Sequence, residues 1–218
     1  MVQVLSVWRL AALVTGLFTL WIVLGSPLAA MDHHLLTAHM TQHLLLMTVA
    51  APLILLGAPS IASSRVVGRI ASHPVFCWLA GTATVIGWHV PALFELGMRT
   101  AYWHAIEHAS FFAAGLLFWL PVIQPSLATW PRWTIPLYLF LATLPCDALS
   151  AFLTFCGRVV YPHYRSAHTM FDISPLGDQE IAGALMWVWV TFAYLAPAAV
   201  VTMQILSPQR RPLNAEAI

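Results

Sequence analysis

The sequence predicts an all-α integral membrane protein, a bundle of about six transmembrane helices with both termini in the cytoplasm. Three observations carry that prediction. Hydrophobic residues make up 60% of the 218 and charged residues only 8%, against roughly 25% charged in a soluble domain, so the chain cannot clothe a water-facing surface. Apolar runs of about 20 residues, the length that crosses a bilayer, recur from end to end. Arginine, the only fixed positive charge because lysine is absent, is divided unevenly between alternate loops. The lipid bilayer is therefore the first partner. A net charge of +1 with no basic cluster points to no nucleic acid.

The first span runs from about Val7 to Gly25. A lone Arg9 ahead of an apolar run also fits a signal peptide, but the run is long and no clean A-x-A site follows, so a retained helix is expected. The second runs from Leu36 to Leu56, the third from Pro74 to Phe94 and the fourth from Tyr102 to Ile123. The fifth runs from Trp133 to Cys156 and the sixth from Ile181 to Leu206, after a polar, irregular connection from Gly157 to Glu180. Residues 1–206 thus read as one polytopic domain and 207–218 as a short cytoplasmic tail. Arg9, Arg65, Arg69, Arg132, Arg210 and Arg211 fall on one side, and Arg99, Arg158 and Arg165 on the other. The richer side is cytoplasmic by the positive-inside rule. Cys77, Cys146 and Cys156 form no C-x-x-C pair, so neither a disulfide framework nor a zinc ribbon is expected.

On that topology nine of the ten histidines fall on the outer side, and only His73 lies inside. His39 and His43 occupy the first turns of the second span, and His104 and His108 those of the fourth. His89 stands near the outer end of the third. At 1.5 Å per residue these five lie in one layer, roughly 5–10 Å below the outer boundary. Residues four apart share a helix face, so each i, i+4 pair is pre-aligned, and polar groups within a span are costly and tend to be functional. The set reads as a metal or haem site. Imidazole suits zinc, copper, iron and nickel, and a thioether tilts the choice toward Cu(I). Met47 continues the second span's stripe as H-x-x-x-H-x-x-x-M, with Met40 and Met31 nearby.

Two alternatives stay open. A bis-histidine haem needs one ligand from each of two facing helices, which i, i+4 pairs on a single face serve poorly. The segment His104–His108 also spells H-x-x-E-H, the zinc-protease pattern in which Glu107 activates a metal-bound water. The soluble scaffold of such enzymes is missing, and Glu107 then orients a histidine instead. Asp147, near the middle of the fifth span after Pro145 and Cys146, is an intramembrane carboxylate. It reads either as part of a proton or ion path or as a protonated partner for a carbonyl freed by Pro145.

Several segments together carry a family resemblance: HMTQHLLLMTVAAPLILLGAP (39–59), GWHVPALFE (87–95), WHAIEHASFFAAGLLFWLPVI (103–123), LYLFLATLPCDALSAFLTF (137–155), VVYPHY (159–164) and SPLGDQEIAGALMWV (174–188). In these the chain resembles the CtaG family of multi-span cytochrome c oxidase assembly proteins, the type linked to caa-type oxidases, over about residues 31–206. The resemblance implies a non-catalytic plasma-membrane factor that matures the oxidase by supplying copper. It implies cytochrome c oxidase subunits as transient partners, and a soluble extracytoplasmic copper carrier as a further one. His39, His43, His89, His104 and His108 match the family's histidine positions. Tyr161, Pro162, Tyr164, Asp178 and Gln179 match its outer-loop positions, where Asp178 and Gln179 are expected to cap the site or support its ligands. The cysteines match no family role.

Overall fold

The computed structural model describes residues 6–58, 65–125, 130–165 and 172–207. Arg210, Arg211, His168 and the predicted tail from residue 208 lie outside the described residues. Every regular element among the described residues is helical. In order they are α1 (Val7–Gly25), α2 (Pro27–Met31), α3 (Leu36–Leu45), a π turn (Leu46–Ala50) leading into α4 (Ala51–Gly57), α5 (Arg65–Ala71) and α6 (Pro74–His89). There follow α7 (Pro91–Arg99), α8 (Ala101–Ile123), α9 (Thr134–Phe155), a 3-10 turn (Pro162–Arg165) and α10 (Pro175–Leu206). Five segments are long and apolar enough to cross a membrane, and α6 with α7 makes a sixth if that bent pair counts as one span. Trp21, Leu79, Leu144, Phe192 and Val200 stand exposed on the outer faces, which is how a chain this apolar meets lipid while its backbone bonds close within each helix.

Two boundaries differ from the sequence reading. The third span ends at His89 rather than Phe94, and α7 leaves it at a bend of 78°. Pro91 is the cause: its ring disfavours the helical conformation for the residue before it, and Val90 is extended at φ −66°, ψ 123°. The last helix starts at Pro175 rather than Ile181. Ser174 accepts from the Gly177 N–H at 3.0 Å and Pro175 takes the first helical position, a start signal that extends the helix over residues read as loop. Asp178 and Gln179 therefore sit in a first turn.

The segment Leu36–Gly57 is the most enclosed of the spans, with 61% of its apolar window buried against 17% for Val7–Met31. It is not uniformly α-helical. In the π turn the Ala51 N–H reaches back five residues to the Leu46 carbonyl, just before Pro52, which has no N–H to continue an α ladder. The neighbours take up what this leaves. The Trp119 indole donates to the Met47 carbonyl at 3.0 Å, and the Trp189 indole to Thr48 Oγ1 at 2.8 Å. Gly115 of α8 permits the approach, since a Cβ there would lie 2.9 Å from the Met47 carbonyl oxygen.

The start of α3 is held from another helix. Leu35, at its N-cap, makes no side-chain cap. Asp178 of α10 instead accepts from the Leu36 N–H at 2.5 Å, the Thr37 N–H at 3.2 Å and the Thr37 hydroxyl at 2.6 Å. A carboxylate at a helix N-terminus satisfies orphan donors and complements the helix dipole. Asp178→Ala leaves the buried Leu36 N–H unpaired, at a cost of about 1–3 kcal/mol. Its thermal midpoint in detergent should fall, and Asp178→Asn, which keeps an acceptor oxygen, should recover part of the loss. An unchanged midpoint for the alanine variant would show that α3 is anchored elsewhere.

Candidate metal centre

The first turns of α3 and α8 meet with their histidines facing. The ring centroids of His39 and His43 are 4.3 Å apart, and those of His104 and His108 are 4.2 Å apart. Across the helices, His39 lies 5.5 Å from His104 and His43 lies 5.6 Å from His108. Four imidazoles thus stand at the corners of a near-rectangle. Phe94 packs edge-on against His39 at 5.0 Å and Phe111 stacks on His43 at 3.9 Å, which fixes the rings from either side.

Two carboxylates complete this layer, each at one edge. Glu107 is fully buried, and its Oε1 lies 3.3 Å from His39 Nε2 and 3.5 Å from His43 Nε2. It points to the histidines of α3, while Asp32, 2% exposed, places Oδ2 3.4 Å from His104 Nε2. Ligand atoms of His39, His43 and Glu107 fall within 4.8 Å of one another, and so do those of Asp32, His104 and His108. Donors 2.0–2.1 Å from a tetrahedral ion sit about 3.4 Å apart, close to the nitrogen–oxygen separations seen.

The donor atoms have no other use. Both Glu107 oxygens, both nitrogens of His39 and of His43, His104 Nε2, His108 Nε2 and Asp32 Oδ1 are buried without a hydrogen-bond partner among the described residues. Such groups are ordinarily satisfied, and leaving several orphaned in one place is costly. A cation in either cluster would serve several of them at once.

The surroundings hold the carboxylates in position. A Cβ on Gly97 of α7 would come within 2.6 Å of Glu107 Oε2, so the space for that carboxylate exists because residue 97 is glycine. Tyr164 donates to the Asp32 carbonyl at 2.6 Å and Tyr161 to the His89 carbonyl at 3.2 Å. Burial pushes both phenols well above their ordinary range, so both remain donors. Glu95 accepts from the His163 N–H at 3.0 Å and tethers the same turn to α7.

The other predicted residues are dispersed. His89 joins neither cluster; its Nδ1 lies 2.7 Å from the Val85 carbonyl, and its buried Nε2 has no partner. The Met47 side chain is buried one turn below His43 beside a small cavity. Asp178 and Gln179 do not reach the histidines. Asp178 caps α3, while Gln179 accepts from the Val160 N–H at 2.7 Å and donates to the Leu153 and Arg158 carbonyls. They support the site by fixing what carries it. Asp147 lies on α9 apart from both clusters, its Oδ1 unpaired. His34 is exposed, whereas the His33 ring sits 5.3 Å from His104 and 6.0 Å from His163, extending the histidines toward the end of the bundle. Beside the layer a cleft of about 510 Å³ opens between α1 and α8, apolar along most of its wall, with Asp32, His33, His104 and His108 at its polar end.

Sequence reasoning missed Asp32 as a partner of the histidines. Its signal was its place in MDHH, a few residues ahead of the second span.

The family model described as cytochrome c oxidase caa3 assembly factor matches residues 2–207. An uncharacterized protein of Mycobacterium bovis is 25% identical over 210 residues, covering 83% of this chain and 31% of its own length. An uncharacterized protein of Mycobacterium tuberculosis matches to the same extent. The chain therefore spans about a third of the length of the curated relatives it matches. No solved structure matches it.

If the clusters hold a metal ion, Gly97→Ala and Glu107→Gln should both lower its retention, while the helical circular dichroism stays unchanged. Metal assay of the two purified variants tests this, and full retention in Glu107→Gln would remove Glu107 from the site.

Proposed function

Because this chain belongs to the cytochrome c oxidase caa3 assembly factor family, we propose that it matures the oxidase by binding copper in its histidine layer and passing it to an apo-subunit. Membership implies interaction with cytochrome c oxidase, and the fold is that of a multi-pass membrane protein. The observation that supports the copper reading is the pair of clusters His39/His43/Glu107 and Asp32/His104/His108, whose ligand atoms lie close together, most of them without a hydrogen-bond partner. Nitrogen and oxygen donors of this kind suit copper and zinc. Haem fits the α3 histidines poorly, since Phe94 and Phe111 already pack on the His39 and His43 rings.

Copper enters from the extracytoplasmic side of the plasma membrane in this reading, supplied by a soluble carrier and met first by His33 and His163. It settles against Asp32, His104 and His108, where the cleft beside α1 gives a recipient subunit access. Transfer proceeds by ligand exchange: each donor of the recipient replaces one imidazole or carboxylate, so the ion is never stripped bare. No turnover of a covalent bond is needed, and Glu107 acts as a ligand or orienting group rather than as the base of a protease.

The test is metal content of the purified protein beside its variants His39→Ala/His43→Ala and His104→Ala/His108→Ala. Copper should co-purify with wild type and fall by at least half in each double variant. Cells lacking the protein should yield oxidase depleted in copper. Unchanged copper in both double variants would end the binding reading. Normal oxidase copper without the protein would leave binding and remove delivery. Red protein with a Soret band would instead assign haem.

A further inference from the structure

We propose that a second metal site, built for a monovalent soft ion, lies directly beneath the histidine layer. Met40, Met47, Met186, Cys146, His43 and His89 stand among the walls of a cavity of about 20 Å³, which Thr48, Tyr194 and apolar side chains complete. That is room for one water or one ion. The residues come from separate elements that the bundle brings together. The α3 segment supplies Met40 and His43, the π turn Met47, α6 His89, α9 Cys146 and α10 Met186.

Methionine is ordinary packing material in an apolar core, and any one of these thioethers would need no explanation. Three of them around one void with His89 do. His89 is 7% exposed and its Nε2 is buried with no hydrogen-bond partner, beside a void whose lining is almost wholly apolar. The Thr48 and Tyr194 hydroxyls also line the void, so a water is the competing occupant, and an unpaired buried nitrogen is costly. A soft cation satisfies it. The three methionines, 2%, 5% and 3% exposed, and the unpaired Cys146 thiol, 6% exposed, add sulfur donors at the same void. Thioether, thiol and imidazole together select Cu(I) over zinc or Cu(II). The thioethers and imidazoles are neutral and Cys146 would bind as its thiolate, releasing its proton, so a single positive charge is the least costly to hold at this depth.

The division of chemistry between the two layers follows. Carboxylates and imidazoles sit near the end of the bundle, Met40 lies at their level, and Met47 lies one turn deeper than His43. His43 belongs to both, with Nε2 3.5 Å from Glu107 and its ring on the cavity wall, so an ion moving between them keeps one nitrogen ligand. The inner site stores Cu(I) out of reach of water while the outer one exchanges with partners.

This inference rests on the copper reading of the histidine layer, and the test separates them. The full chain in detergent, under anaerobic reducing conditions, is titrated with Cu(I) against a chromophoric competing chelator, and with Ag(I) as a redox-inert probe. Met40→Leu/Met186→Leu, a swap that conserves volume, should lose one equivalent of Cu(I) and Ag(I) and the sulfur shell at the copper edge. Its Cu(II) uptake should stay that of wild type. Cys146→Ala, read in parallel in case the double variant does not fold, should weaken Cu(I) at least tenfold. His104→Ala/His108→Ala should lose Cu(II) and keep the sulfur-bound ion. Cu(I) and Ag(I) binding unchanged in both sulfur variants would overturn the site and assign the cavity a water. Loss of Cu(II) binding everywhere with the sulfur-bound ion retained would leave this site standing and remove the outer one.

Discussion

Asp32 and Glu107 are carboxylates at 2% and 0% exposure, set among imidazoles near the end of a membrane-spanning bundle. Burying an ionised carboxylate without a partner costs several kcal/mol even after relaxation, and removing water strengthens its pull on any nearby cation. Much of the rest of the structure serves this arrangement. The helices that carry the histidines stand where each carboxylate can share its charge with two rings. Gly97 leaves room for one carboxylate and Tyr164 holds the backbone of the other.

The same need accounts for the irregular central helix. A straight α-helix from Leu36 to Gly57 would keep one face along its length, but the π turn inserts a residue's worth of rotation below His43. The carbonyl of Met47 turns toward Trp119, and Gly115 lets α8 close to backbone contact at that level. Such bulges tend to occur at functional positions. Here one follows His43 and supplies Met47 to the sulfur-lined cavity. Asp178 fixes the other end of the helix, so the two pairs of histidines keep register across α3 and α8.

Much of this was legible from residues alone. Apolar run length gave the spans because the bilayer imposes it, and i, i+4 spacing aligned each histidine pair because a helix has 3.6 residues per turn. The depth argument brought His39, His43, His104 and His108 to one level, and the structure joins those four. It could not separate His89, whose depth is right but whose ring lies on the cavity side, because depth says nothing about rotation about a helix axis. The third span was overextended because hydropathy runs on past Pro91 while the backbone does not. Asp178 and Gln179 were read as loop residues near the site; the Ser174–Pro175 start signal places them in a helix, where they brace α3 and the turn before the tyrosines. Asp32 was hidden because its partners come from α8, far away in sequence, and no local spacing announces a contact of that kind.

The central claim is that imidazoles and carboxylates from α2–α3 and α8 hold one metal-binding layer in an oxidase assembly factor. Continuous-wave and pulsed electron paramagnetic resonance on the purified protein loaded with one equivalent of Cu(II) tests it most directly. The account predicts a tetragonal signal with remote-nitrogen modulation from at least two imidazoles, reduced to at most one in His104→Ala/His108→Ala or in His39→Ala/His43→Ala, according to which cluster takes the ion. A signal with no imidazole nitrogen coupling, or one unaltered by both double substitutions, would contradict it.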